Sequence, residues 1–320
     1  MVGLAGLRSG RPGGVPVPVG TRVRVRVPAT SANLGPGFDA LGLALDWVDE
    51  LEFEVIEDGV RVEVTGEGAD SLPRDESHLI VSTLRNGLAA LHAEAPGLVL
   101  RAHNTIPHSR GLGSSAAAIV AGLAGAWALA RRDESAAGRV GDRRGLDRQW
   151  LLEQATAIEG HADNVAAAVL GGFVISWTVP GVRAVTARVD PGVRAMAYVP
   201  ARPVSTRSAR GALPKLVPHA EAALNSGRAA LLVHALAAAP ELLLPATQEW
   251  LHQGYRADLM PESTELIGRL RAAGHAAVVS GAGPTVLVLG TEAEIAALEP
   301  EPGFREYRLR PGAGVSLVRD

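Results

Sequence analysis

From Gly111 to Ala130 the chain runs for 20 residues without a charged side chain, and the run opens on Gly-Leu-Gly-Ser-Ser. Its length alone permits a membrane crossing. It is mostly alanine and glycine, however, which gain little on entering lipid compared with leucine, isoleucine or phenylalanine. A helix that is apolar on every side belongs inside a protein, so the run is expected as a buried helix starting near Ser115. A chain of 320 residues has room for two domains of ordinary size, each with its own core. The opening turn carries a second expectation. Small residues let backbone N–H groups approach a ligand, and the unpaired N–H groups and positive dipole end of the helix face the same point. That is an anion site, and phosphate is its commonest occupant. A hydroxyl from Ser114 or Ser115 is placed to ligate Mg²⁺ as phosphate-loop hydroxyls do. The plain alternative is a strand–helix turn with serine caps.

Composition narrows which phosphate chemistry fits. Thirty of the 31 basic residues are arginine, Lys215 is the only lysine, and cysteine is absent. Without cysteine there are no disulfides, thiol nucleophiles or thiolate metal sites. Lys215, in Leu213-Pro214-Lys215-Leu216, fits neither a Walker A loop, nor a protein-kinase strand lysine, nor a Schiff-base site. If the chain handles phosphate, it does so without the usual lysine. The dinucleotide fingerprint G-x-G-x-x-A also fits Gly111–Ala116, with Asp133 22 residues on. Only an apolar helix separates the two, and Asp133 falls in a charged connector, so the fingerprint does not hold. A net charge of −3 argues against a nucleic-acid binder. Residues 1–20 are Gly/Pro-rich with no continuous apolar core and are expected as a flexible extension of a soluble, cytoplasmic protein.

Along the chain, the Arg/Val alternation at 21–27 reads as a half-buried strand. Segments 52–56 and 60–65 read as strands joined by an Asp58-Gly59 hairpin. Helical spacing covers 78–92, 150–158, 219–239 and a segment ending near Gly274, with a short helix at 293–299. Strands are expected at 99–103, 173–177, 195–199, on both sides of Gly281-Ala282-Gly283-Pro284, and at 315–318. Residues 131–148, with six arginines and four acids, read as a solvated connector. The Pro/Gly-rich stretch at 180–192 marks the expected boundary between domains 21–185 and 186–320. Strands and helices mix without βαβ alternation, which points to an α+β fold in both halves.

Three further segments concentrate polar chemistry: the loop from Pro28 to Asp39, the segment Glu159-Gly160-His161-Ala162-Asp163-Asn164, and the turn Gly281–Pro284. Taken singly, each has a plain reading: an Asx-turn loop, a buried satisfied network and a tight hairpin. One histidine among acids lacks the imidazole count zinc prefers, so Mg²⁺ through Glu159 is the better metal expectation.

Taken in order, Pro28-Ala29-Thr30-Ser31-Ala32-Asn33-Leu34-Gly35-Pro36-Gly37-Phe38-Asp39, then Pro107 through Gly111-Leu112-Gly113-Ser114-Ser115-Ala116, then Ser280-Gly281-Ala282-Gly283-Pro284-Thr285 resemble the three motifs of the GHMP small-molecule kinases. Glu159–Val165, Val204–Arg210, Tyr255-Arg256 and Leu259-Met260-Pro261 resemble most the homoserine kinases of that superfamily. The resemblance covers about 22–318. It implies a domain like the second domain of ribosomal protein S5, then a ferredoxin-like domain, with the site between them. It also implies Mg²⁺-dependent transfer of the ATP γ-phosphoryl group to the hydroxyl of L-homoserine, giving O-phosphohomoserine for threonine synthesis.

By the same resemblance Pro107, His108, Ser109, Arg110, Gly111, Leu112, Gly113, Ser114, Ser115, Ala116 and Ala117 form the phosphate loop. Ser115 and Glu159 are the Mg²⁺ ligands. Asn33, Asp39, His161, Asn164, Thr206, Arg210 and Arg256 contact substrate, with Asp39 on the ammonium and Arg210 and Arg256 on the carboxylate, where Arg suits bidentate pairing. Asn164, Asp163 and Arg210 are the expected catalytic residues. His78 stands where members carry an Asn that faces adenine. The expected partners are ATP and L-homoserine, with no nucleic acid and no membrane; a homodimer is one compatible assembly. Another GHMP kinase, acting on a mevalonate-type acid or a sugar, and a non-catalytic nucleotide-binding module are the competing readings.

Overall fold

The computed structural model describes residues 14–131 and 145–318, so most of the charged connector, Asp133 included, lies outside the described residues. The Arg/Val alternation opens β2 (Arg22–Asn33), valines inward and arginines outward. Across from it runs β3 (Gly37–Ile56), where Arg22 meets Glu54 at 2.7 Å, Arg24 meets Glu52 at 2.9 Å and Arg26 meets Glu50 at 3.0 Å. At 20 residues β3 is long enough to change partner. Residues 50–56 pair with β6 (Gly97–Asn104), and 41–43 pair with β7 (Phe173–Trp177). With β4 (Gly59–Gly66), β8 (Arg183–Ala187) and β13 (Ser316–Val318) they complete a seven-stranded sheet.

The expected hairpin at Asp58-Gly59 does not form. Instead β6 lies between β3 and β4, antiparallel to the first and parallel to the second. Charge explains the insertion. Arg101 of β6 reaches Glu52 and Glu54 on one side, at 2.8 and 2.9 Å, and Glu63 on the other at 3.4 Å. Arg101 thus supplies the counter-charge between two acidic strands.

The charge-free run forms α2 (Ser114–Ala130), buried on most of its circumference. It packs on β2 and beside α1 (Leu79–Ala90), α3 (Arg148–Glu159) and α4 (Asp163–Leu170). Its small residues are needed for that fit. A Cβ on Gly122 would lie 2.8 Å from the Ile80 carbonyl, and one on Gly125 would lie 2.6 Å from the Phe53 ring. Among the described residues no helix is long and apolar enough to cross a membrane.

The second sheet is formed by β9 (Val193–Pro200), β10 (Ala276–Val279), β11 (Val286–Thr291) and β12 (Phe304–Leu309), in the order β10-β11-β9-β12 and antiparallel throughout. Between β9 and β10 come α5 (Thr206–Gly211), α6 (His219–Ala238), α7 (Leu243–Ala246), α8 (Gln253–Arg256) and α9 (Pro261–Ala272), and α10 (Glu292–Ala296) joins β11 to β12. This is the β-α-β-β-α-β plan of a ferredoxin-like domain. The expected boundary at 185/186 falls within β8, which belongs to the first sheet, and β13 carries the chain's end back to that sheet.

The flexible extension also needs correction for its last residues. β1 (Val15–Pro16) pairs in parallel with β5 (Ala93–Glu94), and the Val15 and Val17 amides donate to His92 and Glu94 at 2.8 Å. Val17 is buried in the core. The Gly/Pro content concealed an alternating apolar residue with a slot to fill.

Candidate active site

Three loops meet at one cleft: the one after β2, the one leading into α2 and the turn between β10 and β11. Ser280 fastens them: its hydroxyl donates 2.6 Å to the Gly111 carbonyl and is 2.9 Å from that of Ser31. Gly281 N donates to Ala32 O at 3.1 Å, and Asn33 Nδ2 donates to Gly281 O at 2.8 Å. The approach is close enough to exclude side chains. A Cβ on Gly111 would sit 2.2 Å from Ser280 O, and one on Gly113 1.9 Å from Thr30 Oγ1. Ser109, Gly111 and Gly113 all have positive φ, which winds the loop into α2.

The helix that follows has no side-chain cap. The serine-capped alternative is therefore absent, and Gly113, Ser114 and Ser115 at the start of α2 line the cleft. There Ser115 Oγ donates 2.8 Å to Glu159 Oε2, so two oxygen donors lie together at the loop's mouth.

The other side of the cleft is charged. Arg210 and Asp39 form a two-bond pair at 2.7 and 3.1 Å, which holds the Arg210 guanidinium above its ordinary pKa. Asp39 sits at φ +54°, its amide donating to Asn33 Oδ1 at 3.0 Å. Arg256 is 2% exposed and has no ion pair among the described residues. Burial, reinforced by Arg210, draws its pKa down. Both guanidinium groups lie over the Phe38 ring, 5.9 and 5.6 Å from its centroid. Asp163 is buried, which raises its carboxyl pKa, while Oδ1 accepts the Asn164 amide at 2.7 Å and lies 3.6 Å from His161 Nδ1. Asn164 Oδ1 accepts from Thr30 Oγ1 at 2.8 Å.

One cleft thus gathers Asn33, Asp39, Glu159, His161, Asp163, Asn164, Thr206, Arg210 and Arg256 with Ser109, Gly111, Gly113, Ser114 and Ser115. Other members of the expected phosphate loop do not line it. Leu112, Ala116 and Ala117 point into the core, and Pro107 is buried. Arg110 is turned away altogether, its guanidinium donating to the carbonyls of His108, Pro200 and Ala201. His78 caps α1 through Nδ1, which accepts from Ile80 N at 3.2 Å, and its buried Nε2 has no partner among the described residues. Sequence reasoning passed over Thr30, Phe38 and Ser280, although all three lie inside quoted motifs. It also passed over His252, whose signal was its position one helical turn before Arg256.

Fold and cleft together define a small-molecule kinase of the GHMP class, and family models for the GHMP kinases N terminal domain and the GHMP kinases C terminal match residues 78–172 and 220–300. Homoserine kinase of Streptomyces coelicolor is 53% identical over 83% of this chain and 84% of its own, and that of Cutibacterium acnes is 51% identical over 92% and 98%. The chain belongs to the homoserine kinase family of the GHMP kinases. The crystal structure of homoserine kinase from Cytophaga hutchinsonii superposes with a TM-score of 0.77 at 26% identity, covering 93% of this chain and 97% of that one.

Proposed function

We propose that the protein transfers the γ-phosphoryl group of ATP to the side-chain hydroxyl of L-homoserine, giving O-phospho-L-homoserine for threonine biosynthesis in the cytoplasm. Arg256 carries this reading. A buried guanidinium without a counter-ion is costly, and it lines the same cleft as the Arg210–Asp39 pair. A zwitterionic amino acid satisfies all three: its carboxylate meets Arg256 and Arg210, and its ammonium meets Asp39. Asn33 fixes the Asp39 backbone, Thr206 and His161 border the side chain, and Asn164 stands by the hydroxyl. The backbone of 109–115 and the amides of α2 receive the phosphates.

Ser115 and Glu159 suit Mg²⁺, which uses one or two protein oxygens, several waters and the substrate phosphates. They would hold the ion, whose chemistry is to neutralise charge on the β- and γ-phosphate oxygens. Loose phosphoryl transfer asks mainly for alignment and charge stabilisation. Asp163, committed to the Asn164 amide, is read as orienting Asn164 and His161 rather than as a base.

The test is a coupled ADP-release assay over L-homoserine, L-serine, mevalonate and galactose. L-homoserine is expected to be turned over fastest, and faster turnover of mevalonate or galactose overturns the reading.

A further inference from the structure

The aim of Arg256 depends on a residue that the functional reading leaves unused. His252 is fully buried beside the N-terminus of α8, one turn before Arg256. Its Nε2 lies 2.8 Å from the Gly35 carbonyl, which can only accept, so Nε2 carries the ring proton. Nδ1 is then an acceptor, and Arg256 Nη1 donates to it at 3.2 Å. With Nε of Arg256 on Ala209 O and Nη1 also on Gly281 O, Nη2 is the nitrogen left without a partner among the described residues. The imidazole stacks on Phe38 at 5.3 Å, the ring that underlies both cleft arginines. Its backbone is fixed as well. Glu249, with a side chain 3% exposed, accepts the amides of Leu251, His252 and Gln253 at 2.8 Å each.

We infer that His252 is a positioning residue: neutral and protonated on Nε2, it ties Arg256 to the 33–39 loop and aims the guanidinium at the substrate carboxylate. The inference rests on the functional reading above and adds the residue that sets carboxylate affinity. Protonating Nδ1 would turn the acceptor into a donor and place two cations face to face. The groups facing the ring are Glu249 from its own loop, Arg256 from α8, the Gly35 carbonyl from the segment joining β2 to β3, and Asp39 from the start of β3. Burial holds the imidazole below its ordinary pKa against the pull of Glu249.

The experiment compares His252→Phe, which keeps the stack on Phe38, with His252→Asn, whose Oδ1 replaces Nδ1 as acceptor. Each is assayed with L-homoserine and with 2-amino-1,4-butanediol, the same molecule with CH₂OH for the carboxylate. His252→Phe is expected to raise the KM for L-homoserine about tenfold, the weight of one charge-assisted hydrogen bond. Its kcat and KM for ATP stay near those of the unaltered protein, and the diol shows no such penalty. His252→Asn recovers most of the loss, and in the unaltered protein KM for L-homoserine rises as pH falls below the ordinary histidine range. An unchanged KM for L-homoserine in His252→Phe, or an equal rise for the diol, overturns the inference. If His252→Phe does not fold, the pH dependence decides alone: a KM for L-homoserine that stays flat as pH falls overturns it. Failure of the unaltered protein to phosphorylate L-homoserine overturns the functional reading itself, an outcome distinct from these.

Discussion

Asp39 and Arg210 hold each other before any substrate arrives, and the price of that arrangement can be measured. Their side chains are 40% and 37% exposed, so the pair contributes at most about 1 kcal/mol to stability. Inside a complex the same carboxylate faces an ammonium away from bulk water, where a charge-assisted bond is worth more. Asp39→Asn is therefore expected to lower Tm by no more than a degree or two while raising the KM for L-homoserine at least about tenfold. A Tm loss without a KM change would assign Asp39 to the scaffold. Gly113 shows the opposite balance. At φ +68°, with a Cβ position 1.9 Å from Thr30 Oγ1, Gly113→Ala must displace the loop. A loss of about 1–3 kcal/mol in stability is expected with a collapse of kcat/KM, read by denaturant titration and by the coupled assay. The residue types of both positions were legible in the motifs. What the motifs could not show was pairing: that Asp39 meets Arg210 across 171 residues, or that Thr30 meets Asn164 across 134.

At the scale of elements, the phosphate loop is held from outside the cleft. Arg110 was expected among the ATP contacts because it stands in the loop's sequence. Two of its donor nitrogens instead fasten the loop to the end of β9 and the residue after it, while the third donates to His108 O within the loop. Lysine, whose three N–H donors all sit on one nitrogen, cannot span that fork. Arg110→Lys is expected to raise the KM for ATP several-fold with little change in the KM for L-homoserine. A rise in the homoserine KM instead would move Arg110 to the substrate side. Helix α2 was legible because a charge-free run can only be buried, and β2 because its alternation has period two. The Asp58-Gly59 hairpin misled because turn chemistry reports where the chain bends and not which strand lies alongside. That choice was made by Arg101, about 40 residues further on, whose guanidinium serves acids of both β3 and β4. Strand β12 and most of β3 gave no alternating pattern to read, since β3 exchanges partners along its length and its burial pattern changes with them.

For the whole molecule, two buried histidines make stability depend on pH. His78 caps α1 and His252 joins α8 to the 33–39 loop, and burial is the first cause lowering the pKa of each from 6.5. Unfolded, both take a proton as pH falls through the ordinary histidine range; folded, both resist it. The unfolded state then binds more protons, so stability is greatest above that range and is lost as pH falls through it, by up to about 1.4 kcal/mol per pH unit for each histidine. Asp49 and Asp163 work in the other sense. Burial raises their carboxyl pKa values from 3.8, so the folded state gains protons before the unfolded one. Their protonation relieves the folded state as pH falls and so opposes the histidine loss. Denaturant titrations at about pH 7.5, 6.5 and 5.5 are expected to show falling stability. His78→Asn, which keeps an oxygen to cap α1, is expected to flatten the slope by its own share while leaving the pH dependence of the homoserine KM to His252. Equal slopes in the two proteins would mean that His78 titrates alike folded and unfolded, and that its ring is not held neutral by the fold.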